Sequence, residues 1–131
     1  MDDGPRVCSV ARTLEVVGDR WSLLVIREAF LGNHRFDAIQ RRTGAPRDIL
    51  AARLRKLVEM GVLERRRYQE RPPRDEYVPT DRGRDFRPVL IALLAWGNRH
   101  FAPEGASVQL INTETGTAVD PILVDPATGR P

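Results

Sequence analysis

Arginine is concentrated in one part of this chain, and its chemistry there is the recognition of phosphate and guanine. Between Arg35 and Arg74 the sequence has twelve Lys and Arg residues against five Asp and Glu, so this block carries +7. The whole chain carries +3, which leaves −4 for the remainder. All but one of the twelve cations are arginine, whose planar guanidinium makes paired hydrogen bonds that lysine cannot make. The block predicts binding to a polyanion; the alternative is a charged face that contacts only solvent.

Other residues with catalytic or metal-binding chemistry are scarce. The single cysteine, Cys8, excludes an internal disulfide and a cysteine-rich zinc site, and the two histidines, His34 and His100, lack ligand spacing. The sequence contains no Gly-x-Ser-x-Gly motif, no P-loop and no Rossmann glycine triplet. We therefore predict that the protein is not an enzyme and that it holds no metal and no cofactor.

Length and composition predict one compact domain. The chain has 131 residues, 41% of them hydrophobic, which is enough for a real core but too few for two domains of ordinary size. The strongest apolar run, Val89 to Trp96, is much shorter than the ~20 residues that a membrane span requires, and the N-terminus lacks an apolar signal core. We therefore predict a cytoplasmic protein that does not bind membranes.

Hydrophobic periodicity assigns the basic residues to elements. It predicts four helices, namely Val10 to Val17, one within Arg20 to Gly32, Phe36 to Arg42, and Pro46 to Gly61. In the fourth helix the leucines share one face, and Asp48 and Arg55 lie opposite. The third and fourth helices are separated by a tight turn at Thr43-Gly44.

Beyond the fourth helix the sequence predicts a β-hairpin and one more helix. Strand-forming residues flank a Pro-Pro turn, so Val62 to Thr80 is predicted to be a hairpin in which Tyr68 and Tyr77 pack across the strands. Thr80 is predicted to cap a long helix that Pro88 interrupts. The predicted fold class is therefore α+β, mostly α: a winged helix-turn-helix with one hairpin wing, followed by a C-terminal dimerisation helix and a β-rich tail.

In a winged helix-turn-helix, the second helix of the pair enters the major groove of DNA and the hairpin reaches the neighbouring backbone or minor groove. The residues of the fourth helix predicted to meet base edges are Arg47, Asp48, Ala51 and Arg55. The residues predicted to contact phosphate are Arg41, Arg42, Arg53, Lys56, Arg65, Arg66, Arg67, Arg71 and Arg74.

Six features between Cys8 and Phe101 occur together in the order and spacing of a known family. They are Cys8 thirteen residues before Trp21, "GDRW" at 18–21, "HRFDAI" at 34–39, "ILAARLRKLVEMGVLERR" at 49–66, "PPRDEYVPTDRG" at 72–83 and "LLAWG" at 93–97. On these features the chain resembles the HxlR-type transcriptional regulators, relatives of the MarR group. One departure is Pro46, which stands where the family often has a serine cap.

The resemblance implies a homodimer, held by its first and last helices, that binds double-stranded DNA at a two-fold operator and represses adjacent genes. The predicted interface residues are Val10, Leu14, Val17, Leu93, Leu94 and Trp96. They offer more apolar surface than a core of this size needs, and the alternative is that all of them are core. The DNA-binding and dimerisation domain is predicted to span residues 1–101.

Cys8 has two interpretations. In some members of the family the matching cysteine is a thiol switch, and Arg6 and Arg12 lie close to it in sequence, which favours a reactive thiolate. The competing interpretation is a small buried hydrophobe.

Residues 102–131 form an acidic extension with an internal near-repeat, "LINTETG" from Leu110 and "LVDPATG" from Leu123. Strand formers followed by a Thr-Gly turn predict two β-hairpin-like units. The extension faintly resembles the zinc-ribbon-like tail of some longer regulators, but it contains no cysteine, so we predict no zinc.

Two further classes stay open. One is a module that binds a small aromatic or flavin-like effector near Trp21, Trp96 and Phe101. The other is a protein-interaction module that binds no duplex.

Overall fold

The computed structural model describes residues 3–131 and contains, in that range, six helices and one antiparallel pair of strands. They are α1 (Ser9–Val17), α2 (Arg20–Phe30), α3 (Phe36–Thr43), α4 (Arg47–Glu59), β1 (Leu63–Gln69), β2 (Arg74–Pro79), α5 (Asp81–Arg84) and α6 (Arg87–His100). The predicted α+β class with a single hairpin wing is confirmed. Residues 1 and 2 of the predicted first domain lie outside the described range.

The core that supports the basic region lies between α2, α3 and α4. Apolar residues recur at helical spacing in each helix, and Ile26, Ile39, Leu50, Leu54 and Leu57 are at most 1% exposed. Burial of a side chain of this size contributes about 1.5–3 kcal/mol. Because the leucines of α4 point into the core, the opposite face of α4 is left on the surface.

The hairpin, which we call the wing (residues 63–79), has one irregularity. Its register pairs Tyr77 with Arg65, and a bulge next to Arg67 removes Tyr68 from the regular ladder. Tyr68 and Tyr77 are therefore not cross-strand partners, and that prediction was wrong. Tyr68 instead lies under the guanidinium of Arg35, 4.1 Å from the ring centroid.

The segment before α3 joins the wing to the helices. Arg35 forms a single β-bridge with Glu76, and the N–H of Tyr77 donates to the carbonyl of His34 at 2.7 Å. The Nε2 of His34 donates in turn to the carbonyl of Ala29 in the last turn of α2, at 3.0 Å. The base of the wing is thus fixed to both α2 and α3.

The predicted long last helix is two helices. It begins as predicted at Thr80, whose hydroxyl accepts from the N–H of Gly83 at 3.0 Å, but α5 ends at Arg84. A continuous helix would place the ring of Pro88 against the carbonyl of Arg84, one turn earlier. The chain therefore starts a new helix at Arg87, where the missing N–H of the proline needs no partner.

The chain divides into two compact units, Met1–Asp85 and Phe86–Pro131. The second unit contains α6 together with the extension, because the guanidinium of Arg99 pairs with Asp120 and the amide of Asn98 donates to the carbonyl of Val108. This division differs from the predicted boundary at residue 101. No helix in the described residues is long and apolar enough to cross a membrane.

The near-repeat of the extension forms two turns of the same kind. A single bridge closes each turn, Ile111 to Ala118 and Asp125 to Arg130, and the glycine of each has a positive φ. The hairpin-like turns agree with the prediction. Their flanks form isolated bridges rather than strands, so the extension is less rich in β structure than we predicted.

Candidate nucleic-acid interface

A tight turn at residues 43–46 connects α3 to α4. Gly44 has φ +76°, which glycine adopts without strain, and its N–H donates to the carbonyl of Gln40 at 2.9 Å. The hydroxyl of Thr43 donates to the carbonyl of Ile39 at 2.8 Å and accepts from the N–H of Ala45 at 3.3 Å. The turn satisfies its own polar atoms, and α4 follows directly.

The N-terminus of α4 is left uncapped. Pro46 occupies the N-cap position and no side chain caps the helix, because Thr43 bonds within the turn instead. Within residues 3–131, the backbone N–H groups of Arg47–Ile49 have no acceptor. Such groups at a helix N-terminus favour an anion such as phosphate.

The four residues predicted to meet base edges share one side of α4. Their spacing of one, four and eight residues from Arg47 places Asp48 and Arg55 opposite the buried leucines, with Arg47 and Ala51 at the edge of that face. Arg47, Asp48 and Arg55 are exposed, and Ala51 is half-buried. The small side chain of Ala51 leaves room for a close approach between long side chains at both ends of the face.

Arg47 is oriented by α3. Its guanidinium lies 4.7 Å from the ring centroid of Phe36, and its Nη1 lies 3.4 Å from Oε1 of Gln40 and 3.5 Å from Oδ1 of Asp37. These contacts are exposed, so each stabilises the fold little. They already restrict the rotamers of the Arg47 side chain, so that side chain loses less conformational freedom when it binds.

Two of the predicted phosphate contacts on α4 are directed at the scaffold instead. The Nε of Arg53 donates to Oδ1 of Asp19 at 3.0 Å, and the Nζ of Lys56 donates to the carbonyl of Glu15. Asp19 also caps α2, because it accepts from the N–H of Ser22 at 2.9 Å and from its hydroxyl at 2.7 Å. The "GDRW" segment thus holds α4 in place.

These contacts favour the ionised form of the Asp19 carboxylate. Burial alone would raise the pKa of Asp19, but the hydrogen bonds from Ser22 and the guanidinium of Arg53 outweigh it and hold that pKa below its ordinary value. The charge on Asp19 is therefore part of the folded structure.

The first three arginines of the wing are paired within the hairpin. The Nε of Arg65 lies 2.8 Å from Oδ2 of Asp75, and the Nε of Arg67 lies 3.4 Å from Oδ1 of the same carboxylate. The Nη2 of Arg66 lies 3.3 Å from Oε2 of Glu64. The pairs are exposed on the arginine side, so they leave these cations accessible.

Five arginines of the basic block make no side-chain hydrogen bond, ion pair or aromatic stacking contact with any residue that the structure describes. One pair is at the end of α3, one residue is on α4 and one pair is at the tip of the wing: Arg41, Arg42, Arg55, Arg71 and Arg74. All five are exposed. We call them the free arginines.

Sequence reasoning missed two residues of this region. Arg35 was counted in the basic block but not among the predicted contacts, and it stacks on Tyr68 at the base of the wing. Its position directly before α3 was the available signal. Asp75, which follows the basic block in the sequence, accepts hydrogen bonds from two wing arginines.

The residues predicted at the dimer interface divide by burial. Val10 and Leu14 of α1 are 69% and 59% exposed, whereas Val17 is 6% exposed and offers little surface to a partner. In the second unit, Leu93 and Trp96 are exposed and Leu94 is half-buried.

Cys8 stands at the start of α1. It is the N-cap residue of the helix, it is half-buried, and its Sγ accepts from the N–H of Ala11 at 3.5 Å.

Comparison with known proteins places these features in a family. The model of HxlR-like helix-turn-helix proteins matches residues 16–105. The HTH-type transcriptional regulator MT3179 of Mycobacterium tuberculosis (strain CDC 1551 / Oshkosh), itself uncharacterized, is 44% identical over 117 residues, which cover 88% of this chain and 74% of that protein.

Comparison with solved structures supports the same family. PA1607, described as a candidate transcription factor, superposes with a TM-score of 0.83 at 42% identity, over 95% of this chain and 87% of its own. The redox regulator HypR in its oxidized form superposes with a TM-score of 0.67 at 30% identity, over 71% of this chain and 97% of its own. MT3179 is named as a transcriptional regulator, PA1607 as a transcription factor and HypR as a redox regulator, and none of the three is named as an enzyme. The chain therefore belongs to the HxlR-like helix-turn-helix family of transcriptional regulators.

Proposed function

We propose that the protein binds double-stranded DNA sequence-specifically, with α4 in the major groove and the wing over the adjacent backbone. The observation that carries this proposal is the distribution of the free arginines. They occur on α3, on the outer face of α4 and at the tip of the wing, which are the three places where a winged helix-turn-helix meets a duplex. Arginines turned inward against carboxylates would not support it.

The roles follow from the contacts within the fold. Arg47, Asp48, Ala51 and Arg55 are assigned to base edges, where a bidentate Arg–guanine pair discriminates by about 1–3 kcal/mol. The free arginines of α3 and the wing are assigned to phosphate, and so are Arg65, Arg66 and Arg67, whose pairs leave them accessible. Arg53 and Lys56 are assigned to the scaffold, because the protein itself supplies their partners.

We propose further that two copies bind a two-fold operator and repress adjacent genes. Val10 and Leu14 are exposed four residues apart on one face of α1, with exposed Val7 just before the helix, and Val89, Leu93 and Trp96 are exposed at spacings of four and three residues on α6. Periodic exposed apolar faces of this kind usually pack against a partner. A dimer would place two α4 helices about one duplex turn, ~34 Å, apart.

Selection of bound fragments from the source genome, followed by sequencing, tests the DNA proposal. Recovery of a motif with two-fold symmetry and half-sites about one turn apart is the expected result. Arg55→Ala should weaken binding to that motif, whereas Arg130→Ala in the extension should not. No enrichment of any sequence, or equal loss in both variants, would contradict it.

Regulation by thiol oxidation is the second proposal, and the position of Cys8 favours it. The sulfur of Cys8 caps α1 by accepting from the N–H of Ala11, so its oxidation would alter the start of that helix. The relative HypR is named a redox regulator. Operator binding should change after treatment with hydrogen peroxide, and Cys8→Ser should abolish the change. A response kept in Cys8→Ser would exclude Cys8 as the sensor.

An aromatic effector is a third proposal. In the second unit the ring centroids of His100 and Phe101 lie 5.5 Å and 5.2 Å from that of Trp96, which forms an aromatic cluster. Trp21 is in the first unit, where the guanidinium of Arg20 stacks on it. Flavin mononucleotide should raise the midpoint of thermal unfolding of the wild type and not of Trp96→Ala. No shift in the wild type would contradict a flavin effector.

A further inference from the structure

Asp75 differs from the other carboxylates of the wing in how it meets its arginines. Glu64 and Glu70 are exposed and approach the terminal nitrogens Nη2 of Arg66 and Nη1 of Arg67, at 3.3 Å and 3.7 Å. Asp75 accepts instead from the inner nitrogens of two side chains, the Nε of Arg65 at 2.8 Å and the Nε of Arg67 at 3.4 Å. One carboxylate thus anchors two guanidinium groups by the atom nearest the chain.

The Nε contact matters because an arginine has five N–H donors in a fixed fork. When the Nε is occupied, the two terminal nitrogens form an open end that fits two oxygens of one phosphate. Arg65 keeps both terminal nitrogens without a partner among the described residues, and Arg67 keeps Nη2. A carboxylate on the terminal nitrogens would compete with phosphate directly.

The exposure of the three side chains also places Asp75 beneath the two arginines. The side chain of Asp75 is 15% exposed, whereas those of Arg65 and Arg67 are 62% and 48% exposed. The carboxylate therefore lies beneath the two guanidinium groups, and a phosphate approaching from solvent meets them first. Arg67 and Asp75 are paired in the register, and Arg65 is two residues from Arg67, so all three are on one face of the hairpin.

Asp75 stays charged in this position. Burial alone would raise the pKa of Asp75, but hydrogen bonds from Arg65 and Arg67 outweigh it and lower that pKa. Ordering the two long side chains before binding reduces the rotamer freedom that they lose when they meet phosphate.

We propose that Asp75 is a positioning residue for DNA binding, which holds Arg65 and Arg67 with their open ends toward two phosphates of the duplex backbone. The inference rests on the proposed function, since it assumes that the wing lies against DNA. Removal of the Asp75 charge should therefore weaken DNA binding, although by charge alone the loss of a carboxylate near phosphate would strengthen it.

The test compares Asp75→Asn with Glu64→Gln, which removes the same charge from an exposed pair in the same hairpin. The probe is a fluorescein-labelled random-sequence duplex of about 24 base pairs, because phosphate contacts are independent of sequence. Anisotropy titrations at several salt concentrations give the affinity. Asp75→Asn should bind about fivefold more weakly than wild type, whereas Glu64→Gln should bind as well or better. An Asp75→Asn protein that binds as tightly as Glu64→Gln overturns the proposal.

A double-mutant cycle separates positioning from simple support of the hairpin. In a protein that carries Arg65→Ala and Arg67→Ala, Asp75 has nothing to position, so adding Asp75→Asn should now strengthen binding. A hairpin weakened by loss of Asp75 would bind more weakly in both backgrounds, and that result also overturns the proposal. Circular dichroism melting of each variant identifies any that does not fold, and the cycle is then measured with Asp75→Ser, which also removes the carboxylate. Wild-type protein that binds no duplex overturns the proposed function and this inference together.

Discussion

Asp19 shows how a single residue connects the family-like "GDRW" segment to α4, the proposed recognition helix. It caps α2 through Ser22 and accepts from Arg53 of α4, 34 residues further along the chain. An arginine that composition alone assigns to phosphate is thereby used to position the helix that carries the residues assigned to base edges.

Replacement of Asp19 should lower the free energy of unfolding. Asp19→Ala removes the cap of α2, which contributes about 1 kcal/mol, and leaves Arg53 without its charged acceptor, about 1.5–3 kcal/mol more. We expect a loss of about 2–4 kcal/mol in the free energy of unfolding by urea. The control is Asp37→Ala, an exposed carboxylate 3.5 Å from Arg47, which should cost less than about 0.5 kcal/mol. Equal effects of the two substitutions would show that the Asp19 contacts are not formed in solution.

The same carboxylate predicts a dependence on pH. The pKa of Asp19 is lower in the folded protein than the unfolded value of about 3.9. Its contribution is therefore complete above about pH 5 and is lost as the pH falls through the folded-state pKa. Between about pH 6 and pH 3, the wild-type protein should lose more unfolding free energy than Asp19→Asn. Asp75 is present in both proteins, so its contribution cancels when the two losses are compared. Parallel losses in the two proteins would exclude Asp19 as the titrating group.

At the scale of elements, α5 fastens the end of the wing to the end of α4. The hydroxyl of Thr80 donates to the carbonyl of Gly61, and the guanidinium of Arg82 donates to the carbonyl of Met60 at 2.8 Å. α5 approaches the residue before β1 so closely that a Cβ on Gly83 would lie 2.1 Å from the carbonyl oxygen of Val62. This contact explains why the "PTDRG" segment requires glycine inside a helix.

Gly83→Ala should therefore destabilise the protein, although alanine is the better helix former. We expect a net cost of about 1–3 kcal/mol, because the backbone of α5 must move away from β1. Gly97→Ala in α6 is the matched control, since a Cβ there meets nothing within 4 Å. That substitution should stabilise α6 by up to about 1 kcal/mol. Chemical denaturation of both variants measures the difference, and a stabilised Gly83→Ala protein would refute the close contact.

At the scale of the whole molecule, the seven arginines assigned to phosphate set the salt dependence of DNA binding. If five of them contact phosphate in each chain, a dimer neutralises about ten phosphates, and each contributes about −0.9 to the slope of log affinity against log salt. We expect a slope near −9 for a dimer on duplex DNA. A slope shallower than about −3 would mean that most of the block never reaches phosphate.

A charge introduced on the exposed apolar face of α1 tests dimerisation through that helix. Leu14→Glu should shift the protein toward monomer in sedimentation and weaken operator binding, because a charge cannot be buried there without a partner. The control is Leu123→Glu, since Leu123 is an equally hydrophobic residue that is 78% exposed in the extension. A dimer that survives Leu14→Glu would place the interface elsewhere.

The sequence by itself determined the elements and their faces. The helical repeat of leucines in α4, the glycine after α3 and the strand formers around Pro72-Pro73 are local signals, and local geometry is enough to interpret them. Charge counting located the basic block for the same reason.

Only the tertiary structure decided which arginines of that block are free. The partner of Arg53 is 34 residues earlier, and Arg65 and Arg67 share a carboxylate across the hairpin, 10 and 8 residues away. The displacement of Tyr68 by a bulge and the burial of Val17 also depend on neighbours distant in sequence. A side chain's partner is chosen by what the fold brings within about 3 Å of it, and no periodicity along the chain encodes that distance.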